Sequence, residues 1–300
     1  MSAETKSAGW RLKLAAAALG IAIFTVLWFA AAALGAKFGL WGWQFGLGKM
    51  TLAWGIPLAF FSIGLSVVAL IIGFIKAPRT QPVILGLGAL LISTMVGFRV
   101  IVGFGGQAAS LPPIHDIQTD WSEPIAFSES LIAQRRSDGA LNPVKDDPRI
   151  DEAADSRWPG MGGRRVAEVQ EEAESERTVD GETVAPAYDR PIEPLYFDQT
   201  PGEIAALAIE IAEARGWEIF SRPETGEDVE RTMIEATETS TWYGFKDDIA
   251  IRIQAVEGAT RVDMRSISRV GLSDLGMNAR RVSSFMDELE ARAEGRREPR

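Results

Sequence analysis

Leu14–Ala36 reads LAAAALGIAIFTVLWFAAAALGA, a run without a charged residue and apolar on every side of a helix. That run decides the architecture. Two more follow, Leu52–Ile75 (LAWGIPLAFFSIGLSVVALIIGFI) and Val83–Phe104. Each is long enough to cross a bilayer as a helix of about 20 residues. A buried core helix would be shorter and two-faced. Pro57 and the glycines of the second run are tolerated better in lipid than in water. Trp10, Trp28, Trp41, Trp43 and Trp54 crowd the ends of the first two runs, where indoles suit the headgroup level. Lys6, Arg11 and Lys13 give the first run the outline of a cleaved signal. Its apolar stretch exceeds the usual signal core of roughly 7–15 residues, and two further runs follow, so an anchor is the better reading.

Orientation follows from the basic residues. Lys6, Arg11 and Lys13 precede the first run, and Lys76 and Arg79 lie in the tight loop between the second and third, on the same side. Five such charges favour the cytoplasm over the side holding Lys37 and Lys49. Three crossings then put the C-terminal domain outside the cytoplasm. In a bacterium that is the periplasm, with the spans in the inner membrane. Arg99 sits within a turn or two of the third run's end, close enough to snorkel.

The chain carries a net charge of −10, and the division is uneven. Residues through Arg99 hold eight basic and one acidic residue, leaving 23 basic against 40 acidic, or −17, for the rest. Such a domain is a poor candidate for nucleic acid or for lying flat on anionic lipid. The absence of cysteine excludes thiol chemistry and cysteine–zinc sites.

The composition divides the chain into an anchor over 1–106, an ordered lead-in over 107–136 and an acidic linker or insertion over 137–186. A core over 187–294 and a tail over 295–300 complete it. Ile114, Ile117, Trp121, Ile125, Phe127, Leu131 and Ile132 mark the lead-in as packed. Glu168, Glu171, Glu172, Glu174 and Glu176 give the acidic stretch the look of a solvated charge run with one short surface helix. It lacks the Asp/Asn/Gly spacing of a calcium loop.

In the core, Thr200 followed by Pro201, a stripe of Ile204, Leu207, Ala208 and Ile211, and Gly216 are the start, face and stop of an amphipathic helix. Trp217–Phe220, Glu230–Ser240, Ile249–Val256 and Arg261–Val270 read as strands, the third alternating most cleanly. A last helix over Ser273–Ala293 offers Leu275, Val282, Phe285, Met286 and Leu289. The expected fold is a three-span α-helical anchor followed by an α+β domain, a four-stranded antiparallel sheet with two helices on one face.

Three stretches carry a resemblance: Ile234-Glu235-Ala236-Thr237 with Tyr243-Gly244-Phe245-Lys246-Asp247-Asp248; Val262 through Gly271; and Ser273-Asp274-Leu275-Gly276-Met277-Asn278-Ala279-Arg280-Arg281. With Pro112-Pro113-Ile114-His115-Asp116-Ile117 and Thr119-Asp120, they look like the signature of the DUF1499 family. The likeness brackets the extramembrane domain, except that the acidic 137–186 stretch has no match. It implies a domain of unknown function behind membrane spans in bacteria and supplies no reaction.

On the last strand, Arg261, Asp263, Arg265, Ile267 and Arg269 share one face. Three guanidiniums at intervals of about 7 Å, joined by Arg252, suit an oxyanion such as a carboxylate, a phosphate or a lipid headgroup. Asn278 is placed to orient an arginine. The competing reading pairs the row with Asp263, Glu235 and Asp248 across the sheet, and it is the favoured one because such rows are often structural ion pairs. His115, Asp116 and Asp120 form a local cluster, read as a tether, since one histidine without cysteine makes a weak metal or acid/base site. Asp247 and Asp248 point to opposite faces and are expected to close the Trp242–Lys246 turn. Gly271-Leu272-Ser273-Asp274 lacks the G-x-S-x-G spacing, so Ser273 or Asp274 reads as a helix N-cap.

The leading functional expectation is a membrane-anchored extracytoplasmic module, more a binder than an enzyme. It would bind an anionic small molecule, a lipid or an envelope protein through Arg252, Arg265, Arg269 and Asn278. The alternatives are a hydrolase-like envelope enzyme using His115, Asp116 and the arginines, and a structural envelope component marked by a flat, fully ion-paired sheet face. No cofactor or metal is implied.

Overall fold

The computed structural model describes residues 9–100, 111–179, 182–188, 190–226 and 228–295. The expected end of the third run over 101–104, residues 107–110 of the lead-in, the tail beyond 295 and Lys6 lie outside the described residues. The chain forms two compact units.

The helical unit contains α1 (Gly9–Lys37), a π-helix (Gln44–Gly55) running into α2 (Ile56–Ile75), and α3 (Thr80–Phe98). All three segments are long and apolar enough to cross a membrane, the second beginning earlier than its expected start at Leu52. Their buried faces are small: Ala15, Ala18 and Ala22 on α1; Ala59, Ser62, Ser66 and Ala69 on α2; Gly86, Ala89 and Ser93 on α3. Lipid offers no hydrophobic gain for burying large side chains, so close backbone approach and hydrogen bonds hold such a bundle. A Cβ at Gly86 would lie 3.1 Å from the Leu70 Cα. Ser62 and Ser93 share a hydrogen bond of 2.7 Å. Phe24, Leu27, Phe60, Phe61, Ile71 and Leu91 face outward. Trp28 Nε1 donates to the Met50 carbonyl of the π-helix at 2.9 Å. Arg11 donates to the Lys76 and Ala77 carbonyls at the C-terminal end of α2, bringing the start of α1 and the α2–α3 loop to one end.

The second unit is an α+β fold whose elements are β1 (Asp116–Gln118), α4 (Glu129–Ser137), a 3-10 turn (Glu152–Ser156), α5 (Val166–Glu174), β2 (Arg177–Val179), β3 (Glu182–Val184), β4 (Leu195–Phe197), α6 (Pro201–Ala214), β5 (Glu218–Ser221), β6 (Arg231–Thr239), β7 (Lys246–Val256), β8 (Ala259–Ser268) and α7 (Met277–Gly295). The sheet runs β1-β8-β7-β6-β5, all antiparallel, and β4 also pairs with β8, while β2 and β3 form a separate hairpin. The four expected strands are β5 to β8. The sheet is larger because β1 and β4 both add to β8, at Ser266 and Val262 respectively. Each has three residues, too few to show a period, and extension comes from pairing. Gly258 turns β7 into β8 at φ +77°, a conformation L side chains resist.

One face of the sheet packs under α6 and α7. Thr200 caps α6 with a reciprocal bond from Glu203. Ile204, Leu207 and Ile211, with Val282, Phe285 and Leu289 of α7, bury Ile234, Ile249, Ile251, Ile253, Val262 and Met264. Each fully buried aliphatic side chain contributes about 1.5–3 kcal/mol. Trp217 stacks on Phe285 at 5.3 Å. The opposite face is also covered. Ile125, Phe127 and Leu131, around α4, close over Ala250 and Ile267.

The acidic stretch over 137–186, expected as a linker, is packed along much of its length. Ile150, Val166, Val169 and Ala173 join the main core. Its few apolar residues lie three and four apart on α5, so a small apolar count still makes one buried face.

Candidate functional site

The row expected on β8 exists, and all of it but the partly exposed Arg261 is buried inside the unit. Arg265 is fully buried; its Nε and Nη2 donate to both oxygens of Asp116 at 3.0 and 2.7 Å. Its remaining donors reach the carbonyls of Ile125 and Lys145 at 2.8 and 2.6 Å, and its guanidinium lies 5.5 Å from the Trp121 ring. Register explains the pairing: Asp116 stands opposite Ile267 and Gln118 opposite Arg265, so acid and base are diagonal neighbours on one face. Arg269 donates to both oxygens of Asp248 at 2.8 and 2.7 Å and to Asp138. Asp248 also receives Arg135 and the Thr237 hydroxyl. Arg252 binds Asp263 at 3.1 Å, and Arg261 binds Asp120, Asp263 and Glu123 at 2.6, 2.8 and 2.9 Å.

Of the acids expected to pair with the row, Asp248 and Asp263 do. Glu235 instead accepts from the backbone N–H and hydroxyl of Ser128, the N-cap of α4. With Lys246 on Asp138, the six cations Arg135, Lys246, Arg252, Arg261, Arg265 and Arg269 equal in number the acids Asp116, Asp120, Glu123, Asp138, Asp248 and Asp263, although Arg135, Arg269 and Lys246 share two acids and Arg252 and Arg261 share three. The network is self-neutralising.

The electrostatics agree. Bonds from Lys246 and Arg269 hold the Asp138 carboxyl below the ordinary carboxylate range. Partial burial works against ionisation of Asp120, and the bonds from Ser122 and Arg261 outweigh it, leaving that pKa lowered. For Arg269 burial is likewise outweighed by Asp248, and the pKa rises. Burial dominates at Arg135 and lowers its pKa.

His115, Asp116 and Asp120 do not converge on a common point. Asp116 is taken up by Arg265 and Asp120 by Arg261. The carbonyl of His115 accepts from Ser268 N and from Asn278 Nδ2 at 2.9 Å each, which is a tether between the lead-in and α7. Its ring Nδ1 is buried without a hydrogen bond among the described residues, and burial lowers its pKa.

Asn278 lies on the α7 side of the sheet and contacts Arg281 instead of an arginine of the row. Its Oδ1 accepts from Arg281 and Ser266, and Arg281 continues to Asp247 at 2.6 Å and to Glu238. Asp247 and Asp248 therefore anchor arginines on opposite faces instead of closing a turn. Asp274 accepts from the N–H of Gly276 and Asn278 at 2.8 and 2.7 Å and serves the start of α7. Burial raises its pKa to about 6.

Four residues that sequence reasoning missed complete the network: Glu123, Arg135, Asp138 and Gln170. The first three belong to the loop and helix laid over the row. Gln170 of α5 bonds the N–H and carbonyl of Gln118 at 3.3 and 2.9 Å, closing the free edge of β1 as another strand would. For Arg135 and Gln170 the signal is a polar residue beside apolar neighbours on a short helix; Glu123 in a loop and Asp138 at a helix cap carry none. Among the described residues no three His, Asp or Glu side chains are arranged to hold a metal.

Fold and site together define an α+β domain with an internally paired arginine row, in a chain that also carries three membrane-type helices. Residues 116–289, more than half of the chain, match the family described as Protein of unknown function (DUF1499), and the chain belongs to that family. None of the curated proteins matches it.

Proposed function

We propose that the protein is a membrane-anchored interaction or structural module of the bacterial cell envelope. Its α+β unit stands on the periplasmic side, and its arginine row holds the unit together instead of taking a ligand. The single observation that carries this reading is Arg265, fully buried with its donors divided among Asp116 and two backbone carbonyls. An anion entering there must displace Asp116. Breaking a buried pair costs about 3–5 kcal/mol, while a millimolar ligand gains only about 4 kcal/mol.

The basic residues support the sidedness. Arg11, Lys13, Lys76 and Arg79 gather at the end that Arg11 ties together, and Lys37 and Lys49 lie on the other side. A reporter fused after Gly106 is expected to be active only in its periplasmic form; a cytoplasmic signal overturns the placement.

Native mass spectrometry of gently extracted full-length protein tests the ligand-free reading, beside Arg265→Ala/Arg269→Ala and the milder Arg252→Gln/Arg261→Gln at the rim. Wild type and the rim variant are expected to retain the same small molecules. An anion held by wild type and lost from a folded rim variant restores the binding-module reading.

A further inference from the structure

We infer that a groove between α1 and α3, at the basic end of the helical unit, is a binding site for an anionic phospholipid. The groove has a volume of about 280 Å³ and is lined by Leu12 of α1 and by Gln81, Ile84 and Leu85 of α3. Three of these side chains are aliphatic. The polar one, Gln81, lies in the first turn of α3, where the helix meets the headgroups. An acyl chain along Ile84 and Leu85, with its ester and phosphate level with Gln81, satisfies both parts.

Charge selects the class of lipid. Lys13 follows Leu12 directly, Arg79 is the N-cap of α3 two residues before Gln81, and Lys76 ends α2; all three are exposed. Residues 9–100, the described part of the helical unit's N-terminal stretch, contain no Asp or Glu, so among the described residues there no acid pairs with these cations. Arg11, by contrast, is buried and committed to the carbonyls of Lys76 and Ala77. It holds the α2–α3 loop beside α1 and keeps the exposed cations at this end. Trp10, 64% exposed, marks the same end as interfacial. A zwitterionic lipid would satisfy the apolar wall but not the cations, each of which favours an anionic surface by roughly fivefold.

The test uses full-length protein in mild detergent, given phosphatidylglycerol and phosphatidylcholine in equal amounts and weighed intact. Wild type is expected to retain one phosphatidylglycerol with at least about fivefold preference. Lys13→Gln/Lys76→Gln/Arg79→Gln is expected to bring the preference close to parity. Ile84→Trp fills the groove and leaves every charge in place, and it is expected to lose the retained lipid. Equal retention of the two lipids by wild type overturns the proposal, as does a preference that survives either variant. Survival in Ile84→Trp would mark attraction to the surface without a site. The arginines of the α+β unit are untouched in these variants, so the outcome is independent of the reading of that unit.

Discussion

Replacing Arg265 by Met removes a buried guanidinium while keeping the unbranched stem. It leaves the Asp116 carboxylate fully buried without its bidentate partner, and it removes one donor each from the Ile125 and Lys145 carbonyls. Loss of one partner of a buried pair costs about 3–5 kcal/mol, chiefly because a charge stays uncompensated. In a domain of this size each kcal/mol moves Tm by about 2–4 °C, so the single variant is expected to melt about 6–20 °C lower. Asp116→Leu alone strands Arg265 and is expected to cost a similar amount. The double variant Arg265→Met/Asp116→Leu strands no charge, and its loss is expected to fall short of the sum of the two singles by at least about 2 kcal/mol. Thermal unfolding of the four full-length proteins in one detergent measures the cycle. Amide exchange over residues 119–145 locates the damage, because Arg265 donates to the Ile125 and Lys145 carbonyls of that segment. Additive losses, or exchange unchanged in that segment, would refute the argument that the row is a structural staple.

Asp274, raised to about 6 from 3.8, is protonated more readily in the folded than in the unfolded chain. Its stabilising share is present at acid pH and lost as pH rises through 6, so Asp274→Asn is expected to gain in Tm over wild type above pH 6 and to lose that gain below about pH 4. His115 has the opposite sign: its lowered pKa makes the unfolded chain the better proton acceptor, and stability falls as pH drops below 6.5. His115→Gln is expected to flatten that limb of a Tm-against-pH curve. Gln170→Leu unpairs the backbone of Gln118 and is expected to cost about 1–3 kcal/mol, with faster amide exchange at β1 as its signature. In the bundle, Ser93→Ala removes the bond to Ser62; the expected loss is about 0.6–2 kcal/mol, measured as helix dissociation in a bilayer.

Length and periodicity alone determined the three apolar helices, the charge asymmetry across them, helices α6 and α7 and the four central strands. These are local properties: an apolar run of membrane length, a 3.6-residue stripe between a Thr-Pro start and a Gly stop, and a two-residue alternation each follow from backbone geometry. The shared face of Arg261, Arg265 and Arg269 was legible for the same reason. What that face touches was not. Arg135 and Asp138 at the end of α4 meet Asp248 of β7 and Arg269 of β8, 113 and 131 residues further along the chain, and β1 and β4 become strands only by lying on β8. The acidic stretch looked like a linker because composition averages its charges, while its core contribution rests on Val166, Val169, Gln170 and Ala173 falling on one side of a short helix. Tertiary structure therefore decided whether the arginines face solvent or their own carboxylates. That depends on which loop covers the sheet, and no periodicity along the strand encodes the identity of its cover.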